Sequence, residues 1–431
     1  MSKLTRPSRR RFLGRLCGTV SASAFLATGS DPLLARTLAE IRARADDTAH
    51  EEFWAFIRKQ FMLEPGLIYL NAGTTGAMPG PVFEAEVRYQ RLLAENPKIR
   101  AVFERRVADE VRQKAAQLIG AKLEETALTH NTTEGLNIVA HGLPLKAGDQ
   151  VLITDQEHPA HREAWRLRAK RDGIEVTEVK LPTPVPDAAT FVRLFEQAIT
   201  SRTKVIAIPH IPTTTGMITP AKEVCALARS KGLLSLLDGA HCVGQFKFNV
   251  KELGCDFYAC SPHKWLHAPL GNGIFYVRRE LQDRLWPLTG HAGWDRYPDA
   301  RKYTTFGNRS WATAVALGDA IDFAHALGLD KIEARGRELM TYFKRQLLSL
   351  PGVAPLTPSD PALYCAQSAF RIPQLASREL VGFLRERHKI IVAEKSDNGF
   401  RVDLGYYITR PELDRTLEVF DHVIRQGIPR V

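Results

Sequence analysis

Two side chains of opposite charge follow two strand-like runs of the sequence. Asp238 ends the apolar run 233–237, and Lys264 comes shortly after the run 257–260. An unpaired carboxylate there would be costly, so Asp238 is expected to face a cation or a metal, although a helix-cap or turn aspartate is the simpler alternative. A carboxylate and a lysine at neighbouring strand ends, 26 residues apart, fit a Schiff-base lysine and the partner of a cofactor's pyridinium nitrogen.

A pair of threonines is a candidate site for binding phosphate. Thr132 and Thr133 lie between a strand-like run and the helical pattern 134–140. Hydroxyls and free backbone N–H groups at a helix N-terminus bind phosphate readily. Simple helix capping is the competing explanation, because Asn131 with Glu134 three residues later suffices for a capping-box-like arrangement.

Two histidine pairs invite a metal site, and the sequence argues against both. His158 is spaced from His161, and His263 from His267, by helix-compatible intervals. The second pair lacks the glutamate of H-E-x-x-H, and the prolines 262 and 269 interrupt any helix there. We therefore predict no metal. A G-x-G-x-x-G fingerprint and a P-loop are also absent from the sequence.

These polar residues need a scaffold that brings strand ends together. Apolar runs that read as strands occupy residues 67–70, 127–129, 151–154, 205–209, 233–237, 257–260 and 274–277. Helical patterns such as 163–171 and 221–231 lie between several of them, which predicts a mostly parallel, doubly wound α/β sheet. Ligands of such sheets bind at the carboxyl ends of the strands.

The order of predicted helices and strands changes after residue 312. A long helical pattern is followed by a strand near 369–372, a helix near 377–388 and a strand near 400–404. This order predicts a second, smaller α+β domain. We divide the chain into a signal segment (1–35), an N-terminal segment (36–75), a large domain (76–312) and a small C-terminal domain (313–431).

Composition excludes several classes of protein. The chain has 431 residues, 44% of them hydrophobic and 25% charged, which is ordinary for a globular protein. The formal net charge is +11, but six basic residues precede the first acidic residue, Asp31. The surplus over the rest of the chain is too thin for a nucleic-acid footprint.

The N-terminus has the pattern of an export signal. The segment Ser8-Arg9-Arg10-Arg11-Phe12-Leu13 precedes a weakly apolar stretch rich in small residues, 16–27. Twin arginines before a short apolar region predict export of a folded protein to the periplasm by the Tat machinery, with cleavage somewhere between 24 and 35. A basic tail is the alternative. The apolar stretch is shorter than the roughly 20 residues of a membrane span, so we predict none.

Cysteine usage does not indicate a disulfide framework. Cys17 lies in the signal segment, and the mature chain keeps an odd number of cysteines with no C-x-x-C pair: Cys225, Cys242, Cys255, Cys260 and Cys365. Buried free thiols are expected, with room for one bridge.

Taken together, residues 67–413 resemble the class V aminotransferase family of fold-type-I pyridoxal 5'-phosphate enzymes. The segment Tyr69-Leu70-Asn71-Ala72-Gly73-Thr74 is similar to the family's opening motif, in which Asn71 would contact the substrate. The resemblance implies phosphate contacts from Thr132, Thr133, Ser261 and His263. It implies ring contacts from a stacked His158, from Asp238 at the pyridine nitrogen, and from His241 and Thr213 at the ring oxygen. Lys264 would be the Schiff-base residue, and Arg401 would bind the substrate α-carboxylate.

One departure from the family pattern concerns the subunit interface. The family usually has F-G-T-x there, with the threonine bonded to the partner subunit's phosphate, whereas this chain has Phe306-Gly307-Asn308-Arg309. An amide can donate the same hydrogen bond, so Asn308 keeps the role open. The resemblance therefore implies a homodimer.

Within the family the sequence resembles the isopenicillin-N-epimerase-like branch, which includes Tat-exported enzymes that tailor the glutamyl side chain of pyoverdine siderophores. Cysteine desulfurases are the main alternative, but their cysteine lies in the loop before the carboxylate-binding arginine, and residues 392–400 contain none. The substrate is expected to be an amino acid or a peptide. Transamination, epimerisation and elimination share the residues above and stay open, as do a non-catalytic protein of this fold and a periplasmic metal-binding protein.

Overall fold

The computed structural model describes residues 31–47, 50–290, 294–304, 307–395 and 399–429. The predicted signal segment lies outside this part of the chain as far as residue 30, and so does Phe306 of the interface motif.

A seven-stranded sheet forms the centre of the molecule and confirms the predicted α/β class. Its strands are β2 (Thr126–Thr129), β3 (Gln150–Thr154), β4 (Glu175–Val179), β5 (Thr203–Pro209), β6 (Leu234–Asp238), β7 (Phe257–Cys260) and β8 (Gly273–Val277). The spatial order is β2-β8-β7-β6-β5-β3-β4. Strands β4, β3, β5, β6 and β7 are parallel, and β8 pairs antiparallel with both β7 and β2. The sheet is therefore mostly parallel, as the alternation of strands and helices predicts.

Successive side chains of the sheet enter two different apolar layers. In β5, Val205 and Ala207 belong to one cluster of buried residues, while Ile206 and Ile208 belong to the other. Because side chains alternate across a strand, apolar runs such as these are typical of a sheet covered on both faces.

Helices supply the two covering layers. Those before and within the large sheet are α1 (Pro32–Ala43), α2 (Glu51–Arg58), α3 (Gly80–Glu95), α4 (Arg100–Arg106), α5 (Arg112–Leu118), α6 (Thr132–Gly142), α7 (Pro159–Asp172), α8 (Ala188–Ala198), α9 (Ala221–Ser230) and α10 (Val250–Leu253). Those after it are α11 (Trp311–Leu327), α12 (Leu329–Leu348), α13 (Ser377–His388) and α14 (Arg410–Gln426). Within the described residues no single helix is long and apolar enough to cross a bilayer, whereas α11 and α12 pass that test together but are bent by 73°.

The last third of the chain builds a second, antiparallel sheet. Its strands are β9 (Ala354–Pro355), β10 (Gln367–Arg371), β12 (Ala393–Lys395) and β13 (Gly399–Asp403), in the order β12-β13-β10-β9. The hairpin of β12 and β13 carries Lys395 on one strand and Arg401 on the other. The α+β rhythm after residue 312 is thus found in the structure.

Two strands differ from the sequence-based expectation. The run 67–70 was expected among the strands of the large sheet, but β1 (Ile68–Tyr69) pairs in parallel with β11 (Ile390–Ile391) in a separate two-stranded sheet. An apolar run reveals a buried strand but not its partner, and only the tertiary fold made this choice. Strand β4 was not predicted, because the half-buried edge sequence Glu-Val-Thr-Glu-Val has no continuous apolar run.

Candidate active site

A cavity of about 510 Å³ opens at the carboxyl ends of the parallel strands. Nine of the twelve residues predicted from the sequence line it: Thr132, Thr133, His158, Thr213, Asp238, Ser261, His263, Lys264 and Arg401. They come from loops that follow β2, β3, β5, β6 and β7, together with β13. These residues therefore lie together, as expected from the rule that ligands of such sheets bind at the carboxyl ends of the strands.

Lys264 and Asp238 lie in this cavity as a charge pair without direct contact. The Asp238 carboxylate is buried, and its Oδ1 accepts a hydrogen bond from the backbone N–H of Ala240 at 2.9 Å. Burial lowers the pKa of Lys264 to about 8, and the nearby charge of Arg401 also lowers it, while Asp238 opposes the shift. A lysine with such a pKa carries a substantial neutral fraction at mildly alkaline pH, which a nucleophilic amine requires.

The three remaining predicted residues do not line the cavity. His241 is buried behind it, with Nε2 at 3.3 Å from Lys264 Nζ, and burial holds the pKa of its imidazole well below the usual range. Asn71 Oδ1 accepts a hydrogen bond from Thr74 Oγ1 at 2.7 Å, and Thr74 itself lines the cavity. Asn308 is exposed outside the cavity of its own chain.

The threonine pair lies at a true helix start. Strand β2 ends at Thr129, and the Asn131 side chain caps α6 by accepting a hydrogen bond from the Glu134 N–H at 3.0 Å. Thr132 donates its backbone N–H to Ser261 Oγ at 3.0 Å, and the two hydroxyls are 2.7 Å apart. The capping and phosphate interpretations are thus compatible, because Asn131 makes the cap and leaves the threonine side chains at the cavity.

His158 sits at the start of α7 and closes another side of the cavity. Its Nδ1 accepts a hydrogen bond from the Ala160 N–H at 3.1 Å. Burial lowers the pKa of this imidazole, and the charge of Asp238 opposes the shift only in part. The ring is therefore neutral at neutral pH, which suits an aromatic surface better than a second cation beside Lys264.

A buried hydrogen-bond chain holds the loop that carries His158. Glu157 Oε1 accepts from the N–H and the hydroxyl of Thr154 at 3.0 and 2.8 Å, and Glu157 Oε2 is 2.6 Å from His161 Nδ1. Trp165 Nε1 lies 3.1 Å from His161 Nε2. Because an indole N–H only donates, His161 must accept at Nε2 and carry its hydrogen at Nδ1.

One histidine of each pair is packed in the interior, whereas His158 and His263 line the cavity. His161 belongs to the chain just described, and His267 packs against the rings of Phe61, Tyr406 and Tyr407. No group of three or more His, Cys, Asp or Glu in the described residues could hold a metal ion.

The opposite wall of the cavity contains a residue that sequence reasoning missed. Lys395, at the end of β12, lines the cavity with Arg401 and places Nζ at 3.3 Å from Thr213 Oγ1. His130, Leu270 and Gly271 also line the cavity without having been predicted. The sequence-based prediction for the segment 392–400 concerned only a cysteine, although a lysine six residues before Arg401 indicates a second cation there.

Two glycines let the N-terminal segment approach the site closely. A Cβ at Gly76 would overlap the backbone carbonyl of Lys264, and one at Gly73 would lie 2.7 Å from Asp403 Oδ2. The backbone N–H of Gly73 donates to that same oxygen at 3.1 Å. Glycine is required at these two positions because a side chain would collide with Asp403 or Lys264, and not because of the local turn geometry.

All five described cysteines are free and buried. None of them lines the cavity, and burial raises the pKa of every one of these thiols. Thiols of this kind are poor nucleophiles. Cys17 lies outside the described residues.

With this geometry in place, comparison with known proteins identifies the class. The sequence model of the class V aminotransferases matches residues 68–402. The chain therefore belongs to the class V aminotransferase family, and it is a pyridoxal-phosphate-dependent enzyme, as the resemblance implied.

Relatives within the family point to two kinds of chemistry. The chain is 32% identical to the isopenicillin N epimerase of Streptomyces clavuligerus over 392 residues, which cover 85% of this chain and 98% of the relative. It is 29% identical to a cysteine desulfurase of Salmonella typhimurium, covering 81% and 91% of the two chains. A solved structure of the cysteine desulfurase from Thermococcus onnurineus matches with a TM-score of 0.76 at 25% identity, over 85% of this chain and 97% of that one.

The described residues fit the cofactor. The N-terminus of α6 with Thr132 and Ser261 suits the phosphate, and the buried Nδ1 of His263 has no hydrogen-bond partner among the described residues. Burial lowers the pKa of His263 to about 4, so its ring is neutral and free to donate or accept. Lys264 can attach the cofactor covalently, and Asp238 offers a carboxylate for the pyridine nitrogen.

We predict that the stability of the protein depends on the direction of the buried hydrogen bonds that join Thr154, Glu157, His161 and Trp165. Glu157→Gln should lower the free energy of unfolding by about 1–3 kcal/mol, because the amide must leave either the Thr154 donors or the His161–Trp165 contact unsatisfied. Urea unfolding measures this. Glu163→Gln, which removes an exposed carboxylate from the same helix, is the control and should change stability by less than about 0.5 kcal/mol.

The variant Trp165→Phe provides the decisive comparison. Without the indole donor, His161 can move its hydrogen to Nε2 and accept at Nδ1 from a glutamine amide. Glu157→Gln should therefore cost clearly less in the Trp165→Phe background than in the wild type. Equal costs in the two backgrounds would show that the proposed hydrogen-bond direction is wrong.

Proposed function

We propose that this protein acts at the Cα of an amino acid, or of an amino-acid residue in a peptide, by transamination or epimerisation. The observation that carries the proposal is a cavity in which Lys264, Asp238 and Arg401 converge and which no described thiol lines. The similarity to isopenicillin N epimerases supports proton transfer at Cα.

The chain's own residues can perform the steps that such chemistry needs. Bound pyridoxal phosphate supplies an electron sink for the Cα carbanion. Asp238 would keep the pyridine nitrogen protonated, and the face of the His158 ring would restrict the motion of the cofactor ring. Arg401 and its neighbours orient the substrate carboxylate, which fixes the Cα bond to be broken. Lys264, once released by the substrate amine, can move a proton at Cα.

Desulfuration through a persulfide is the less favoured alternative. It requires a thiolate within reach of the substrate sulfur. The serine and the aspartate in the sequence segment before Arg401 cannot replace a thiolate at neutral pH. Cys365 is buried, with Sγ at 3.5 Å from the carbonyl oxygen of Gln245. An elimination that uses no enzyme thiol shares the residues of the proposed site and is distinguished by its products.

The sequence of the N-terminus supports a proposal for the location of the enzyme. We propose export by the Tat machinery to the periplasm, where a siderophore precursor peptide bearing a glutamyl residue is a substrate of the expected class. The folded cofactor site is consistent with this route, since Tat transports proteins after folding.

The central test is exchange of the Cα hydrogen. In deuterated water the wild type should exchange the Cα–H of a substrate amino acid, followed by NMR, and Lys264→Ala should slow this exchange by about 10²–10⁴-fold or more. Lys264→Ala should also lose borohydride-fixable cofactor while keeping its fold. An unchanged covalent attachment in this variant would mean that another lysine anchors the cofactor.

Cys365→Ser is the matched control, because a serine hydroxyl can keep the hydrogen bond to the Gln245 carbonyl. Its exchange rate and turnover should remain within about twofold of the wild type. Rapid sulfide release from cysteine that disappears in Cys365→Ser would instead restore the desulfurase interpretation.

Export is tested with the twin arginines. Replacing Arg9 and Arg10 by lysine should leave the protein in the cytoplasm, whereas replacing Lys3 and Arg6 should not. Fractionation of cells expressing the full chain measures the distribution. Periplasmic accumulation of the twin-lysine variant would contradict the Tat route.

A homodimer is also proposed, with Asn308 reaching the partner's cofactor phosphate. Asn308 is exposed, and its neighbour Arg309 donates hydrogen bonds to the carbonyls of Leu128 and Gly271, the latter at the cavity. Sedimentation should give a dimer, and Asn308→Ala should lose cofactor on dialysis several-fold faster, with Asn308→Thr restoring retention. A fully active monomer would contradict the proposal.

A further inference from the structure

Lys395 is a cation in the cavity wall that has no carboxylate partner among the described residues. It is partly buried, and the one hydrogen bond of its ammonium in the described structure goes from Nζ to Thr213 Oγ1 at 3.3 Å. It forms no ion pair with any carboxylate of the described residues. An ammonium removed from water without a counter-charge is costly, so such a residue favours an anion that enters the cavity.

Arg401, the expected carboxylate ligand, is already engaged on all sides. Its Nε and Nη2 donate to Asp403 Oδ2 at 3.0 and 2.7 Å, and both residues are buried. Its Nη1 donates to the carbonyl and the hydroxyl of Thr213. The second Nη2 hydrogen faces Thr74 Oγ1 at 3.4 Å and Asn71 Oδ1 at 3.5 Å.

The charge of Arg401 is therefore balanced by Asp403 before any substrate binds. Asp403 cannot easily leave, because its Oδ2 also accepts the backbone N–H of Gly73. Lys395, by contrast, has three hydrogens and uses one of them on Thr213. Burial lowers the pKa of Lys395 to about 8, with Arg401 and Lys264 adding to the shift and Asp403 opposing it. The amine is thus still largely protonated at neutral pH.

The Lys395 ammonium and the Arg401 guanidinium lie close to the same position in the cavity wall. Both Lys395 Nζ and Arg401 Nη1 contact the same Thr213 hydroxyl, so the two groups border one side of the cavity. A carboxylate placed over Thr213 can meet the Lys395 ammonium with one oxygen, and its other oxygen can meet the guanidinium edge where it takes over the hydrogen bond that Nη1 donates to the Thr213 hydroxyl. Lysine is a mobile point charge, whereas the arginine fork is held in a fixed plane.

We propose that Lys395 is a substrate-binding residue that pairs with the substrate α-carboxylate, with Arg401 setting the orientation and Lys395 supplying the free charge. This inference rests on the proposed function, because it requires an amino-acid substrate. It adds a second cation to the single arginine that the sequence resemblance implied.

The test compares three ligands in which each carboxylate is present or replaced by an amide. L-glutamate has both carboxylates, L-glutamine keeps only the α-carboxylate, and the α-amide isoglutamine keeps only the side-chain carboxylate. Binding to the holoenzyme is followed by the change in cofactor absorbance, which is independent of turnover. Lys395→Met should weaken glutamate and glutamine by about 10–100-fold and leave isoglutamine within about twofold, as expected for the loss of one charge-assisted hydrogen bond.

Two further variants keep the result interpretable. Lys395→Arg should restore most of the affinity, and Lys204→Met, which removes an exposed lysine from the opposite end of β5, should change none of the three affinities. Equal weakening of all three ligands, weakening of glutamate and isoglutamine only, or a fall in turnover with unchanged binding would overturn the assignment to the α-carboxylate.

The failure of this inference is distinguishable from failure of the proposed function. If wild-type holoenzyme responds to the amino acids and Lys395→Met responds equally well, only the role of Lys395 is wrong. If neither an amino acid nor a glutamyl peptide changes the spectrum of the wild type, the proposed function is wrong and the inference falls with it.

Discussion

The parallel strands β3, β5, β6 and β7 end at one edge of the sheet, and the rest of the site depends on this constraint. Each strand end releases the chain into a loop whose first polar residues face the same cavity. Charged groups that lie far apart in sequence are thereby held together and partly removed from water. In such surroundings each charge must find a partner, since unpaired burial is costly.

The structure meets this requirement in a graded way. Both carboxylate oxygens of Glu157 accept hydrogen bonds, from Thr154 and His161, and Asp403 forms an ion pair with Arg401. Asp238 accepts one backbone N–H and has no direct contact with Lys264. Lys395 has no carboxylate partner among the described residues. Groups with complete partners hold the framework, whereas groups with incomplete partners are those left to meet a cofactor or a substrate.

The second, antiparallel sheet contributes the wall of the cavity that contains Lys395 and Arg401. Its hairpin carries these two residues, and the N-terminal segment is tied to the hairpin through the Gly73–Asp403 hydrogen bond. Gly76 in turn donates its N–H to the carbonyl of His263, beside Lys264. The N-terminal segment therefore contacts both walls of the site through hydrogen bonds of its backbone.

The sequence by itself determined the α/β class, most strand positions, and nine of the residues that line the cavity, because apolar runs and the residues that end them are local features. It also determined that the segment 392–400, directly before Arg401, contains no cysteine. Only the tertiary structure decided that β1 pairs with β11, that His161 and His267 serve packing, that Asp403 occupies the Arg401 fork, and that Lys395 has no carboxylate partner among the described residues. The pairing of β1 with β11 and the packing of His267 involve residues more than a hundred positions apart, and such spacing leaves no trace in a local pattern. Arg401 and Asp403 are only two positions apart, but their pairing is held in place by the distant residues Gly73 and Thr213.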